Sequence, residues 1–481
     1  MTDSRIIVAA ISLVLALPML AQEPIPLTTE DLLESSNAHY PSIIQALASR
    51  REAVAQTLEA EGAFDIVFET GGFSRLSGYY DGSAVETTAR QPFRRLGGNL
   101  YSGYKLSNGS FPIYEDEYFT NTGGAFRIGA LFSLMRDRDI DPNRFALTDA
   151  QLNLERAGLD LLLTRIGVQQ RTLQAYWRWV AIGQQLGVYE DLLRLAEDRQ
   201  TSLQEQSSSG AIASIVLTEN AQNITRRQTF VTSAERDLAT AANALSIFYR
   251  DGSGTPIVPT EAQLPENMSL DETDQLPVAD DRLAISSALD TRPELALLRN
   301  AIEQETNRLA LRENELKPRL DLNVEVQQGL GSIAEGGVSR DSTDTVVGVT
   351  FSIPLQRRGA RGRLQRSLAR LDATRAEQQL QEDQIRIEIR NLMVDMRYAS
   401  ELFDLAEQQV EQTELLRAAE VVRFESGASD FFLVNVREEA VADARVTLLS
   451  AELETRLART NYDAATVNLE RLGIGDRRPL P

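Results

Sequence analysis

Acid–base, metal and thiol chemistry need histidines, cysteines or paired carboxylates held together, and this chain offers few of them. It has one histidine, His39, and no cysteine. That excludes disulfides, thiolate metal sites, a thiol nucleophile and a lipid-anchoring cysteine near the N-terminus. His39 stands just before Pro41 at a helix start, without a second imidazole to share a metal, and a surface or packing role is expected. Adjacent carboxylates such as Glu438-Glu439 could pair as acid and base, but on helices this charged they read as a solvated face. Trp177 and Trp179 fall mid-helix and read as packing or an equatorial contact rather than a ligand box. There is no Ser-His-Asp set, no P-loop and no CxxC. No catalytic centre, cofactor site or metal site is expected, and the chain does not read as an enzyme.

Composition narrows the partners. The formal charge of -21 over 481 residues argues against nucleic acid, which needs a basic surface. Ile6 to Leu20 form an apolar run after Arg5, followed by Ala21-Gln22-Glu23. About 15 residues is short for a membrane-spanning helix and fits the core of an export signal, so residues 1–21 are expected to be a signal cleaved after Ala21. No other stretch has the length of a spanning helix. Any entry into a membrane must be made by strands.

The elements that would position anything functional are helices of unusual length. From Arg361 to Leu472 there is no proline, and apolar residues recur at helical spacing: Leu364, Leu368, Leu371, Leu380, Leu402, Leu405. The single break is Glu425 to Asp430, where Gly427 can end one helix in the left-handed conformation and Ser429 or Asp430 can cap the next. The first arm of this hairpin, about 65 residues, spans roughly 95 Å at 1.5 Å per residue. An equivalent hairpin over 146–249 is interrupted near Gly210.

In chain order, Thr28-Thr29-Glu30-Asp31 looks like a capping box opening a helix to about Gly62, kinked or delayed at Pro41. Strands are expected at about 63–78 and 125–134. Between them, residues 79–124 are rich in Gly, Ser, Asn and Tyr with little periodicity, which suits a long loop or hairpin. Residues 251–290, with Pro256, Pro259, Pro265 and Pro277 among acidic side chains, read as a linker or equatorial segment. Thr291-Arg292-Pro293-Glu294 is a second capping-box candidate. Strands are expected next at about 320–328 and 345–353, then the hairpin over 361–472 and a polar tail, 473–481.

The order helix, strand, strand, long helix, tip, helix therefore occurs twice, over 22–250 and 291–472, and residues align as well as order. Gly129 to Leu134 match Gly348 to Ile353, 219 positions on (129 to 348). Gly210 matches Gly427, 217 positions on (210 to 427). Phe64 to Glu69 match Leu320 to Glu325, 256 positions on (64 to 320), because the strand loop of the first repeat is longer. In each repeat the two short helices, stacked end to end, equal the long one in height, which is how a tall cylinder wall is built. Leu320-Asp321-Leu322-Asn323-Val324-Glu325-Val326-Gln327 alternates strictly. One face, Leu320, Leu322, Val324 and Val326, could meet lipid, and the other, Asp321, Asn323, Glu325 and Gln327, a wet lumen. A half-buried strand of a soluble sandwich alternates in the same way. Four strands cannot close a barrel, so spanning would require several copies to share one.

With these features the chain resembles the TolC-type outer-membrane efflux channels of Gram-negative bacteria, over essentially its whole mature length. The resemblance rests on the duplicated layout, Thr291-Arg292-Pro293-Glu294-Leu295, the turn Phe351-Ser352-Ile353-Pro354-Leu355 and the tip Arg423-Phe424-Glu425-Ser426-Gly427. It implies a mainly α fold with a membrane β-barrel portion. In that arrangement a homotrimer gives four strands per chain to a twelve-stranded barrel, above a periplasmic α-helical barrel. It implies a passive exit duct of a tripartite efflux or type I secretion system in the outer membrane, powered by an inner-membrane transporter. The tips, Gly210, Ala211, Ile212, Gly427, Ala428, Ser429 and Asp430, would dock a periplasmic adaptor of the membrane-fusion type. Two positions depart from the family. Met135 stands where the second repeat has Pro354, and Leu433 and Val436 stand where some members carry pore-narrowing aspartates, so no acidic constriction carries over. A soluble periplasmic coiled-coil adaptor or scaffold is the alternative, but it would have no use for lipid-compatible strands.

Overall fold

A computed structural model describes residues 26–266, 268, 281–334 and 341–475. The expected export signal, 1–21, residues 267 and 269–280 of the proline-rich linker and most of the tail lie outside the described residues. The chain begins with α1 (Thr29–His39), capped by Thr28, whose Oγ1 accepts from the Asp31 amide at 3.2 Å. Tyr40 is extended because it precedes Pro41, and α2 (Pro41–Gly62) starts afresh with that proline in its first turn. The anticipated kink is thus a full break.

Two rods set the height of the molecule. α3 (Pro142–Ser208) has 67 residues and α7 (Arg358–Glu425) has 68, about 100 Å each at 1.5 Å per residue. α3 packs against α2, α4 (Ile215–Ser246), α6 (Pro293–Asn314) and α8 (Phe431–Ala465), whereas α7 packs against α6 and α8. α6 and α8 therefore lie between the rods, and α2 and α4 on the far side of α3. Polar contacts fix the heights. Near the start of α3, Thr57 of α2 bonds the Ala150 carbonyl and Asn300 of α6 the Leu152 carbonyl. Near its end, Asn220 of α4 bonds the Ala196 carbonyl and Glu438 of α8 pairs with Arg199. Each repeat supplies one continuous and one composite rod, as its helix lengths suggest.

The best-packed core lies at mid-height. Trp179 and Val180 are fully buried with Leu27, Leu32, Tyr176, Leu245 and Met268. Tyr176 donates to the Leu27 carbonyl at 2.8 Å, and burial pushes its phenol up to about 12. Arg456 stacks over Trp177 at 4.5 Å. On the α7 side, α5 (Asp281–Thr291) packs Ala284 and Ala288 against Ile385 and Ile389. Here the second capping box does not form. Thr291 is the last residue of α5, its hydroxyl turned back to the Ser287 carbonyl, and Arg292 occupies the cap position without a side-chain cap. Arg292 is buried instead, bonding the Ala465 carbonyl at 2.7 Å and Glu388 at 2.6 Å. It ties α5 and α6 to α7 and α8. α8 stops at Ala465, short of the expected Leu472, because Val467 adopts φ 58. Leu472 then packs with Leu33, Ile166 and Leu173.

The strands require one correction. Among the described residues the first repeat has four, not two: β1 (Val67–Ser74), β2 (Ser83–Pro92), β3 (Gly98–Asn108) and β4 (Ala125–Ser133). β2 and β3 form a hairpin inside the stretch that suits a long loop or hairpin, where Gly, Ser and Thr dilute the alternation. The second repeat gives β5 (Arg319–Gly329) and β6 (Thr343–Ser352). All six make one antiparallel sheet in the order β1-β2-β3-β4-β5-β6.

Candidate functional site

Two regions stand out, the sheet and the ends of the helical hairpins. In antiparallel pairs, residues directly opposite each other share a face, so the register assigns every strand residue. Leu322 pairs with Phe132 and Val349, Val324 with Ala130 and Val347, and Val326 with Ile128 and Thr345. Leu100 lies opposite Ala130, Tyr104 opposite Phe126, and Val85 opposite Leu106. These residues form one apolar face, with Phe68 continuing it on β1 opposite Ala89. Much of it stands in the open: Phe68 is 73% exposed and Val349 65%.

The other face carries every charged residue of the six strands. They are Glu69 on β1, Glu86 and Arg90 on β2, Lys105 on β3, and Arg127 on β4. Arg319, Asp321 and Glu325 on β5 and Asp344 on β6 complete the set. Leu320, Leu322, Val324 and Val326 thus lie on the uncharged face, and Asp321, Asn323, Glu325 and Gln327 on the charged one. Charges of opposite sign meet there: Arg127 pairs with Glu86, and Lys105 stands 3.7 Å from the same carboxylate. At the end of the sheet away from the helices, residues 109–124 fold back over the charged face. A 3-10 turn, Ile113–Tyr118, places Tyr118 against Phe73 at 5.0 Å, and the Glu117 carbonyl accepts from Lys105 at 3.0 Å. Arg75 pairs with Glu115.

The two hairpin ends share one geometry. Gly210 has φ 72 and Gly427 φ 74. The Gly210 amide bonds the Ser207 carbonyl at 3.0 Å and Ala211 the Gln206 carbonyl at 2.9 Å. Gly427 and Ala428 bond Phe424 and Arg423 at 3.0 and 2.8 Å. Both are Schellman caps, which place a left-handed residue just after the helix. The difference lies in how the next helix starts. Asp430 caps α8, accepting from Leu433 at 2.9 Å, whereas Ser214 offers α4 no side-chain bond. Ser429 bonds buried Glu420. Gly210, Ala211, Gly427, Ala428 and Asp430 are exposed, with Ile212 and Ser429 half-buried.

Just above the tips, Glu438 proves not to be a solvated residue. It is 3% exposed and Arg227 is fully buried. The two pair at 3.0 Å, Arg199 adds bonds to both Glu438 oxygens, and Arg199 also reaches Asn435 at 3.0 Å. Burial pushes the Glu438 carboxyl up, but the bonds and charges of Arg199 and Arg227 outweigh it and leave the group below its usual value. Residue-type reasoning missed this cluster because a basic residue on each of two other helices had to converge on it. The neighbouring Glu439 pairs with the exposed Arg226. His39 ends α1 half-buried, and Trp177 and Trp179 are core residues. Among the described residues no cluster of three metal-binding side chains occurs, and no helix is long and apolar enough to cross a membrane.

Known proteins share this fold. Residues 284–473 match the family model of the outer membrane efflux protein. The chain is similar to the open state of the Neisseria gonorrhoeae MtrE outer membrane channel, with 14% identity and a TM-score of 0.63 over 91% of this chain and 88% of that one. It is similar to the Vibrio cholerae outer membrane protein VceC, at 14% identity and a TM-score of 0.60, over 91% and 95% of the two chains. The Campylobacter jejuni CmeC outer membrane channel aligns over 98% of both chains, at 14% identity and a TM-score of 0.59. At such identities the likeness is one of fold. A comparison with curated protein sequences gives no match.

Proposed function

We propose that this chain, which carries an outer membrane efflux protein domain on an outer-membrane channel fold, is the exit duct of a tripartite efflux or type I secretion assembly. Three copies stand side by side, their sheets closing one barrel in the outer membrane and their helical walls one tube in the periplasm. Solutes or polypeptides pass through a water-filled interior. An inner-membrane transporter supplies the energy, linked through a periplasmic adaptor that meets the tips around Gly210 and Gly427.

One observation carries this reading: a sheet with all its charges on one face and two unpaired edges, β1 and β6. In hydrocarbon an open edge leaves backbone groups unbonded at several kcal/mol each, so the β1 edge of one copy must meet the β6 edge of the next. Leu320, Leu322, Val324 and Val326 then meet lipid, while Asp321, Asn323, Glu325 and Gln327 line the water-filled side. A soluble scaffold would leave Phe68, Val347, Val349 and Phe351 bare to water, each more than 60% exposed.

Fractionated membranes test the reading. The protein is expected in the outer membrane at three times its monomer mass, and loss of the gene should raise sensitivity to exported compounds. A soluble periplasmic monomer would end it.

A further inference from the structure

Among the described residues, the hairpin β2–β3 has no counterpart in the second repeat. There β5 pairs directly with β6, whereas in the first repeat β1 and β4 are separated by two further strands in the same sheet. The repeat offsets locate the insertion: matching strands lie 256 positions apart before it (64 to 320) and 219 after it (129 to 348). The added residues fall between β1 and β4, where Ser83–Asn108 make the hairpin.

The hairpin is built like the strands around it. Its charges, Glu86, Arg90 and Lys105, all lie on the charged face, while Val85, Thr87, Leu100 and Tyr104 continue the apolar one. β2 has 10 residues and β3 has 11, as many as β5 and β6 and enough to span a bilayer when tilted. Side chains bolt it to the strands that follow. Arg127 of β4 lies across Gly103 of β3 to pair with Glu86 of β2. Tyr101 of β3 lies across Gly129 of β4 to bond Asn323 and Glu325 of β5. A hairpin lying outside the membrane would have no reason to keep one face free of charge.

We infer that the inserted hairpin is part of the membrane wall, so that three copies close eighteen strands rather than twelve. The inference rests on the trimeric duct proposed above. At a spacing of about 4.8 Å and a tilt of about 40°, eighteen strands enclose a backbone cylinder about 36 Å across and twelve about 24 Å. Four helical rods per chain, packed about 9 Å apart, make a twelve-rod tube about 35 Å across. At that tilt the eighteen-stranded barrel matches the helical tube in bore. The inserted strands widen the passage at the membrane level, and the turn over the charged face lies inside it.

Because the natural chain has no cysteine, single cysteines carrying spin labels can report each strand position. In trimers reconstituted into lipid nanodiscs, labels at Thr87 and Leu100 should favour lipid-soluble oxygen, and labels at Thr88 and Asn99 a water-soluble nickel chelate. Electron microscopy of the unlabelled trimer should count eighteen strands in cross-section. All four labels open to water in an intact membrane trimer, or twelve strands in cross-section, would overturn the inference and leave the duct standing. A soluble monomer would remove both.

Discussion

The phenol of Tyr101 on β3 passes over Gly129 on β4 and donates to Glu325 on β5 across 2.7 Å. A side chain at position 129 would meet the ring, since a Cβ there falls 2.5 Å from it. Glycine on β4 is therefore what allows β3 to reach β5. Removing the hydroxyl in Tyr101→Phe should keep the ring over Gly129 and lose the bonds, at about 1–3 kcal/mol for bonds to a charged acceptor. Gly129→Val should cost more, because it displaces the ring as well. Heat dissociation of the trimer on gels checks both, and equal midpoints for Tyr101→Phe and the parent would rule out the latch.

The hairpin held by that latch is the part of the fold least legible in the sequence. Leu320 to Gln327 alternate with strong apolar residues, so β5 is readable residue by residue. β2 alternates Val85, Thr87, Ala89 against Glu86, Thr88, Arg90, too weakly polar against apolar to stand out. The usable signal is the extra length of the first repeat, which two long strands and their turns fill. The long rods and tip glycines are legible because period and punctuation are local. The burial of Glu438 is not, because its partners Arg199 and Arg227 are more than two hundred positions away. Nor is the role of Arg292, where a buried guanidinium contact outcompetes a capping pattern.

The two faces of β5 should differ sharply in what they tolerate. Val324→Arg or Leu322→Arg puts a charge on the uncharged face, at about 2–4 kcal/mol near the bilayer midplane. Asn323→Ser, one position away on the charged face, should assemble normally. Outer-membrane trimer yield measures the contrast, and equal yields would mean that this sheet never meets lipid.

The Glu438 cluster predicts an acid response. The folded carboxyl titrates below its unfolded value of about 4.5, so its contribution is complete above that value and is lost as pH falls through the folded one. Glu438→Gln strands two guanidinium groups, one of them fully buried, and should cost about 3–5 kcal/mol at neutral pH. The variant should also lose stability less steeply on acidification below pH 4.5 than the parent. Thermal unfolding at several pH values checks both, and parallel pH profiles would show that the carboxylate does not anchor α8 to α3 and α4.

Both tip glycines are held only by backbone geometry: beyond the adjoining residues, no atom lies within 4 Å of where a Cβ would be at Gly210 or Gly427. A side chain there meets empty space, and its whole cost is the left-handed φ, about 1–2 kcal/mol for a β-branched residue. Asparagine adopts that conformation more easily and should be nearly silent. Gly427→Val and Gly210→Val should therefore leave outer-membrane trimer at the parent level, because helices packed along about 100 Å do not depend on one cap. If an adaptor reads the shape of the turn, export should fall in the valine variants and persist in Gly427→Asn and Gly210→Asn. Trimer level and export are measured in the same cells. Undiminished export in both valine variants, singly and combined, would reduce the glycines to helix caps and move the docking surface elsewhere.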